Sequence, residues 1–370
     1  MMKKLLALLI AGTIFLTGCQ SEPTEKPVET QSETKTEASV EPEEPASAQV
    51  KIFTDSAGRE VEIPEKIDKV AVTGVPAQLV LFSICPDEMV GLARDFTDGN
   101  KMYLNEKYQN MEVFGQFYGK NANLNLEALL KADPDIIIDI GEKKDSIVED
   151  MDGIQEQIGI PTVFIEAGIE NYDHTYELLG QLLDREEEAK ILAQYAAETI
   201  AQAKKSSSEL KEKKSVYMAL GDNGLSTNAK GSYHAQILDL VGAENAADVQ
   251  KNSKGGGTEV SLEQLLLWNP DVIITYDEDT YQMILSDAGW ANLDAVKNKQ
   301  VYKVPTEPFN FVSDPPSVNR LIGIHWLGHL LYPEQYEFSA EKMIEFSDLF
   351  YHSELTSEDA EAILLHAMAE

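Results

Sequence analysis

His325 and His329 stand four residues apart, a spacing that sets two imidazoles on one face of a helix and permits two metal ligands. A bare Zn or Mn ion wants several histidines and carboxylates converging. With Trp326 and Leu330 beside the pair, an ordinary helix surface is the better expectation, and His174, His352 and His366 lie away from the loops expected to form a cleft. Glu127 and Glu263 are a second candidate pair, as the two acids of an enzyme. They fill the same slot of a phrase that the chain repeats, so symmetry relates them more naturally than convergence on one substrate. No Gly-x-Ser-x-Gly, phosphate loop or zinc-protease motif accompanies them, and no enzymatic activity is expected. A redox cluster would need several cysteines. Beyond Cys19 there is only Cys85, which reads as a small buried thiol.

The repeated phrase is what positions everything else. Asn-Leu-Glu-Ala-Leu-Leu-Lys-Ala-Asp-Pro-Asp-Ile-Ile-Ile runs from Asn125 to Ile138, and Ser-Leu-Glu-Gln-Leu-Leu-Leu-Trp-Asn-Pro-Asp-Val-Ile-Ile from Ser261 to Ile274. Leu126/Leu262, Glu127/Glu263, Leu129/Leu265, Leu130/Leu266, Pro134/Pro270, Asp135/Asp271, Ile137/Ile273 and Ile138/Ile274 are identical. Each copy has a polar cap (Asn125, Ser261), a short amphipathic helix, and a proline that bars the preceding residue from helical geometry. The apolar β-branched run after Pro-Asp is the pattern of a strand covered on both faces in a parallel sheet. Two α/β lobes of one architecture follow, since the spacing is far too long for a solenoid.

The full chain of 370 residues carries 30 Lys and Arg against 64 Asp and Glu, a net charge of -34 that disfavours nucleic acid. Lys3 and Lys4 precede an apolar stretch from Leu5 to Leu16, too short to span a bilayer permanently and shaped like a secretory signal. It ends in Leu16-Thr17-Gly18-Cys19, which resembles the lipobox of bacterial lipoproteins, in which the cysteine is lipidated and becomes the first mature residue. Residues 1–18 are thus expected to be a signal peptide. Residues 19–48, rich in Glu, Pro, Thr and Ser, are expected to be a disordered tether from a membrane anchored through Cys19.

The body then divides into an N-terminal α/β lobe (49–167), connecting helices (168–214), a C-terminal α/β lobe (215–333) and a helical extension (334–370). Ile52 to Pro64 predicts a hairpin with Asp55 to Gly58 as its turn. Lys69–Thr73, Met89–Ala93, Thr162–Glu166, Ser215–Leu220 and Val301–Val304 predict strands. Ala77–Ile84, Gly153–Gly159 and Val318–Leu331 predict helices. From Tyr172 the pattern is helical for some forty residues with a break near Asp184-Arg185, and its second segment, with Leu192, Tyr195, Ala196, Thr199, Ile200 and Ala203 at helical spacing, is long enough to bridge two lobes. In the extension, Thr356 with Asp359 predicts a helix cap, and Ile363, Leu364 and Met368 an apolar stripe.

The order of these features resembles the substrate-binding lipoproteins of ABC importers in the ferric-siderophore, haem, cobalamin and molybdate group, the TroA-like class. Four stretches carry the likeness: the Phe53-Thr54-Asp55-Ser56-Ala57-Gly58-Arg59 hairpin, Asn125-Leu126-Glu127 with its Pro-Asp-Ile partner, Leu238 to Asn245, and Pro316-Ser317-Val318-Asn319-Arg320-Leu321. The resemblance covers residues 50 to about 333. It implies two lobes joined by a long helix, a monomer, no resident cofactor, and surface glutamates, here Glu127 and Glu263, that dock on a permease dimer with its ATPase. A carboxylate in either position is also favoured simply by the helix N-terminus.

Ligands of open α/β sheets sit beyond the carboxyl ends of the strands. That rule nominates Val75, Pro76, Tyr118, Lys120, Gly141, Glu142, Asp222, Asn223, Tyr233, His234, Tyr276, Glu307, Phe309, Asn310 and Phe311. Tyr118, Tyr233, His234 or Tyr276 could ligate haem, and Tyr118, Phe309, Phe311 and Lys120 could hold a ferric chelate. Ser232 and Asn121 could hold molybdate or tungstate. The 305–316 loop has no arginine, which argues against a highly anionic catecholate. An iron chelate is the first expectation, with a metal oxyanion or cobalamin, or an adhesin or receptor without transport, as alternatives.

Overall fold

In a computed structural model the described residues are 49–118, 122–250 and 257–368. The expected signal peptide, the tether with Cys19, and Lys120 with Asn121 lie outside them. The two copies of the phrase fall in two separate sheets. In the first, the strands Val70–Val72, Ile136–Gly141 and Thr162–Glu166 are parallel, with the repeated strand in the centre. In the second, the order is Val301–Lys303, Val272–Thr275, Ser215–Ala219 and Glu244–Asn245, again parallel. Ile136, Ile137, Ile138, Ile273 and Ile274 are fully buried, as strands covered on both faces must be.

The two helices of the phrase, Leu126–Ala132 and Leu262–Trp268, are built alike. The Asn125 side chain accepts from the Ala128 amide at 3.2 Å, and Ser261 Oγ from the Gln264 amide at 3.1 Å. Each helix ends on a left-handed residue just before the proline, Asp133 with φ 52 and Asn269 with φ 46. Asp and Asn tolerate that conformation, and it removes the α geometry that proline forbids. The next aspartate performs a task the sequence does not announce. Asp135 Oδ2 accepts from the Asp68 and Lys69 amides, both at 2.8 Å, and Asp271 Oδ2 from the Ser215 amide at 2.7 Å and the Ser215 hydroxyl at 2.8 Å. In each lobe the carboxylate caps the start of the neighbouring parallel strand.

The hairpin Val50–Thr54 with Glu60–Pro64 is antiparallel, and Asp55 organises its turn. Asp55 Oδ1 accepts from the Ala57 and Arg59 amides at 2.9 Å, and Oδ2 from Arg59 Nη1 at 3.0 Å and the Phe164 amide at 3.2 Å, which fastens the hairpin to the first sheet. Helices Tyr172–Leu183 and Glu186–Ser208 break at Asp184, and the second, 23 residues long, spans about 35 Å. It buries Leu192, Ala196, Thr199, Ile200 and Ala203.

Some expectations need correction. Met89–Ala93 is not a strand: only the bridges Val70 to Met89 and Leu92 to Val113 form. Pairing stops after Leu92, where the Gln78 carboxamide takes the Ala93 and Arg94 amides at 2.8 and 3.0 Å. The helix expected from Gly153 begins at Ile147, because Ile147, Met151, Ile154 and Ile158 make one apolar stripe running past the glycine. The helix carrying the histidine pair, Arg320–Leu331, is no surface helix, being buried at every position but His329. His325 Nε2 meets Thr199 Oγ1 at 3.3 Å, and burial pushes its imidazole down to about 4. His329 Nδ1 is 2.8 Å from the Tyr336 carbonyl.

The extension helps to cover that helix. Its helices Ala340–Tyr351 and Ser357–Ile363 include the expected Thr356/Asp359 capping box. Phe350 packs on Tyr195 and Tyr176, with ring centres at 5.2 and 6.1 Å, and His352 Nε2 lies 3.0 Å from the Phe82 carbonyl of the first lobe. Further on, the Trp326 indole donates to the Ala367 carbonyl at 2.8 Å, and the Lys303 amide to the His366 carbonyl at 2.8 Å. The segment 334–368 therefore touches both lobes. Cys85 is fully buried, and burial drives its thiol far up, leaving it unreactive.

Candidate functional site

Two strands of the first sheet end at a cleft of about 850 Å³ whose other wall is made of loops of the second lobe. From the first lobe come Thr73 to Pro76 after the first strand, Asp139 to Glu142 at the end of the central strand, and Arg94, Gln116, Tyr118, Lys144 and Asp150. From the second come Asn228, Ala229, Gly231 to His234, Thr258 and Ser313 to Pro316. Of the residues nominated from sequence, Val75, Pro76, Tyr118, Gly141, Glu142, Tyr233 and His234 are brought together here. Tyr276, Glu307, Phe309 and Asn310 line a smaller neighbouring cavity of about 250 Å³, which shares Val75, Arg94, Asp314 and Pro315 with the cleft. Asn223 lies in an exposed turn, its side chain accepting from the Leu225 amide at 3.0 Å, and Asp222 is exposed beside it; neither lines the cleft. Phe311 is a core residue, 1% exposed and edge-on to Trp326, so its ring does not face solute. Glu127 and Glu263 are exposed on the first turns of their helices.

The centre of the first wall is Asp139, which sequence reasoning overlooked. It interrupts an isoleucine run near the carboxyl end of its strand, and that interruption was the available signal. It is 4% exposed. Tyr118 donates to its Oδ2 at 2.5 Å and Thr73 to its Oδ1. Burial raises the Asp139 carboxyl above its usual range, with the two hydroxyl donors opposing the shift. Burial, followed by the Asp139 carboxylate, also pushes the Tyr118 phenol far up, so Tyr118 acts as a donor rather than a phenolate. The Lys144 ammonium lies 5.2 Å from the Tyr118 ring centre.

On the second wall the Tyr233 hydroxyl donates across the lobes to the Ala167 carbonyl at 2.7 Å. His234 Nδ1 is 2.7 Å from Ser313 Oγ, and burial lowers its pKa, leaving the imidazole neutral at pH 7. Ser317 Oγ donates to the Pro76 carbonyl at 2.8 Å, a second tie between the lobes at the cleft floor. Arg94 faces Asp314 at 3.6 Å across the mouth, both more than half exposed. The cations missing from the 305–316 loop are thus supplied by the opposite lobe, as Arg94 and Lys144. Such a surface offers hydroxyl donors, a neutral imidazole and two exposed cations to a polar solute.

Residues 98–308 match the family model described as Periplasmic binding protein, and the chain belongs to that family, whose members are the solute-binding proteins of ABC transporters and not enzymes. Among its relatives, the "Molybdate-binding protein MolA" of Haemophilus influenzae is 25% identical over 84% of this chain and 93% of its own length. The "Fe(3+)-citrate-binding protein YfmC" of Bacillus subtilis is 25% identical over 65% of this chain and 76% of its own. Among solved structures, an ABC transporter solute binding protein from Sulfurospirillum deleyianum is 31% identical with a TM-score of 0.78, covering 85% of this chain and 99% of that one. Among the described residues no helix is long and apolar enough to cross a membrane.

Asp139 generates a pH test. Its carboxyl is raised in the folded state, so folding favours the protonated form. The contribution of Asp139 to wild-type stability therefore falls as pH rises from the ordinary carboxyl value of about 3.9 through the raised one. Asp139→Asn carries no such penalty. The stability difference between variant and wild type, from urea unfolding at about pH 4 and about pH 7, is expected to shift in the variant's favour at the higher pH. A constant difference, or the opposite shift, would show that the carboxylate ionises there without cost.

Proposed function

We propose that this protein is a lipid-anchored, extracytoplasmic solute-binding protein that captures an iron chelate and delivers it to an ABC permease dimer with its ATPase. The observation that carries the choice of solute is the size and chemistry of the cleft. About 850 Å³ walled by Tyr118, Tyr233, Arg94 and Lys144 suits a chelate of drug-like size. A single tetrahedral oxyanion would occupy only a small part of it. The likeness to the Fe(3+)-citrate-binding protein supports the same reading. A second reading, molybdate, is favoured by the likeness to MolA, which extends over more of the chain. Anchoring rests on the Leu16-Thr17-Gly18-Cys19 sequence, and action as a monomer on the resemblance to the importer lipoproteins.

Purification from native cells followed by elemental analysis and an absorption spectrum tests the solute. Iron with a visible absorption band is the expected result. Molybdenum without such a band would replace the chelate by the oxyanion, and a preparation empty of both, unable to bind either, would defeat the proposal.

Permease docking is assigned to Glu127 and Glu263, the exposed carboxylates of the two equivalent helices. Reversing both charges, Glu127→Lys with Glu263→Lys, is expected to cut uptake by about tenfold or more, since like charges set against each other cost several kcal/mol. Solute affinity of the purified protein should stay unchanged. Normal uptake by the double variant would refute the docking role.

A further inference from the structure

Arg320, the first residue of the buried helix, is 0% exposed. Taking a guanidinium out of water is costly unless opposite charge compensates it. Among the described residues, no carboxylate pairs with Arg320. Its partners are neutral: Nη1 donates to the Tyr233 carbonyl at 3.1 Å and to Gln236 Oε1 at 3.4 Å, and Nη2 to the Tyr172 hydroxyl at 3.4 Å. Nε has no acceptor. The guanidinium carbon lies 4.7 Å from the centre of the Tyr233 ring. Tyr233 is a wall of the cleft, and so is Ser232, whose buried hydroxyl oxygen has no partner.

These two observations point the same way. A buried cation lacks its counter-charge, and beside it a residue of the cleft wall holds a buried hydroxyl with nothing to bond. We infer that Arg320 determines specificity, its uncompensated charge behind the Tyr233 ring selecting solutes that bring net negative charge to the Ser232–His234 wall. The inference rests on the solute-binding reading above and narrows it to anionic complexes or oxyanions, against neutral or cationic solutes.

The acids of the cleft do not cancel this effect. Glu142 is exposed, and Asp314 is 63% exposed and set against Arg94, so water and salt screen both. Asp139 and Asp150 are on the opposite wall, where Asp139 already accepts from two hydroxyls and Asp150 from the Ser146 hydroxyl at 2.9 Å. A buried charge is screened far less, and its field extends into the cleft through low-dielectric protein. An aromatic face normally repels anions. Here the Tyr233 ring is engaged by the guanidinium, which offsets that repulsion.

Two variants of the full chain test this. Arg320→Met removes the charge. Gln236→Glu places a carboxylate where Oε1 now lies 3.4 Å from Nη1, supplying the counter-charge from within and leaving the arginine in place. Titration calorimetry would use molybdate, ferric citrate and cyanocobalamin, at low salt and at about 0.5 M NaCl, where exposed charges are screened within a few ångströms. Whichever anion the wild type binds should bind at least about tenfold more weakly to both variants, with the loss persisting at high salt. Removing a cation from the neighbourhood of His234 should also move its imidazole titration, followed by NMR, to higher pH in Arg320→Met.

Folded Gln236→Glu protein that binds the anion as the wild type does would overturn the inference. So would a wild type that binds cyanocobalamin and neither anion, although the solute-binding reading would then stand. A wild type that binds none of the three, with the His234 titration unmoved in Arg320→Met, would overturn both.

Discussion

A carboxylate that caps the start of its neighbouring strand is the constraint on which both halves of this molecule rest. The first amides of a parallel strand have no ladder partner on the side where the adjacent strand has not yet begun, and a fixed acceptor there sets where the strand starts. Asp135 and Asp271 meet that need in the two lobes. They are in reach because a left-handed residue and a proline end the preceding helix at one fixed point. The register that follows, Val70 with Ile136 and Val216 with Val272, determines which residues emerge at the far ends of the strands. In the first lobe those are Thr73 and Asp139, already hydrogen-bonded to each other at the edge of the cleft.

Features written in local periodicity were legible in the sequence. The two lobes, the hairpin turn at Asp55, the long helix after Asp184 and the Thr356 capping box each depend on residues a few positions apart. What escaped depends on partners far away in sequence. Met89 to Ala93 has strand composition, but its pairing stops after Leu92, where the Gln78 carboxamide takes the Ala93 and Arg94 amides. His325 reads as a surface residue until the long helix and the extension close over it. The cleft was legible as an address, because strand ends are predictable, and Tyr118, Tyr233 and His234 lie there. Its electrostatics were not: Arg94 and Lys144 come from segments with no local signature, the burial of Arg320 depends on partners far away in sequence, and Asp139 showed itself only as one polar residue in an apolar run.

The cleft joins two walls of different character. One is a hydroxyl-bonded acid flanked by exposed cations, the other an aromatic and imidazole wall backed by a buried guanidinium. The lobes are tied across the cleft by Tyr233 to Ala167 and Ser317 to Pro76, and the extension touches both lobes. Ties of this number argue for solute capture by small adjustments of side chains and loops rather than by wide hinge opening.

Amide hydrogen exchange in Asp135→Ala and Asp271→Ala addresses the common construction of the lobes most directly. The account predicts that the first variant loses protection at Lys69 and along Val70–Val72 with the second lobe unchanged, and that the second loses it at Ser215 and along Ser215–Ala219 with the first lobe unchanged. Protection unaltered in both variants, or lost in only one of them, would contradict the claim that one carboxylate contact organises both halves.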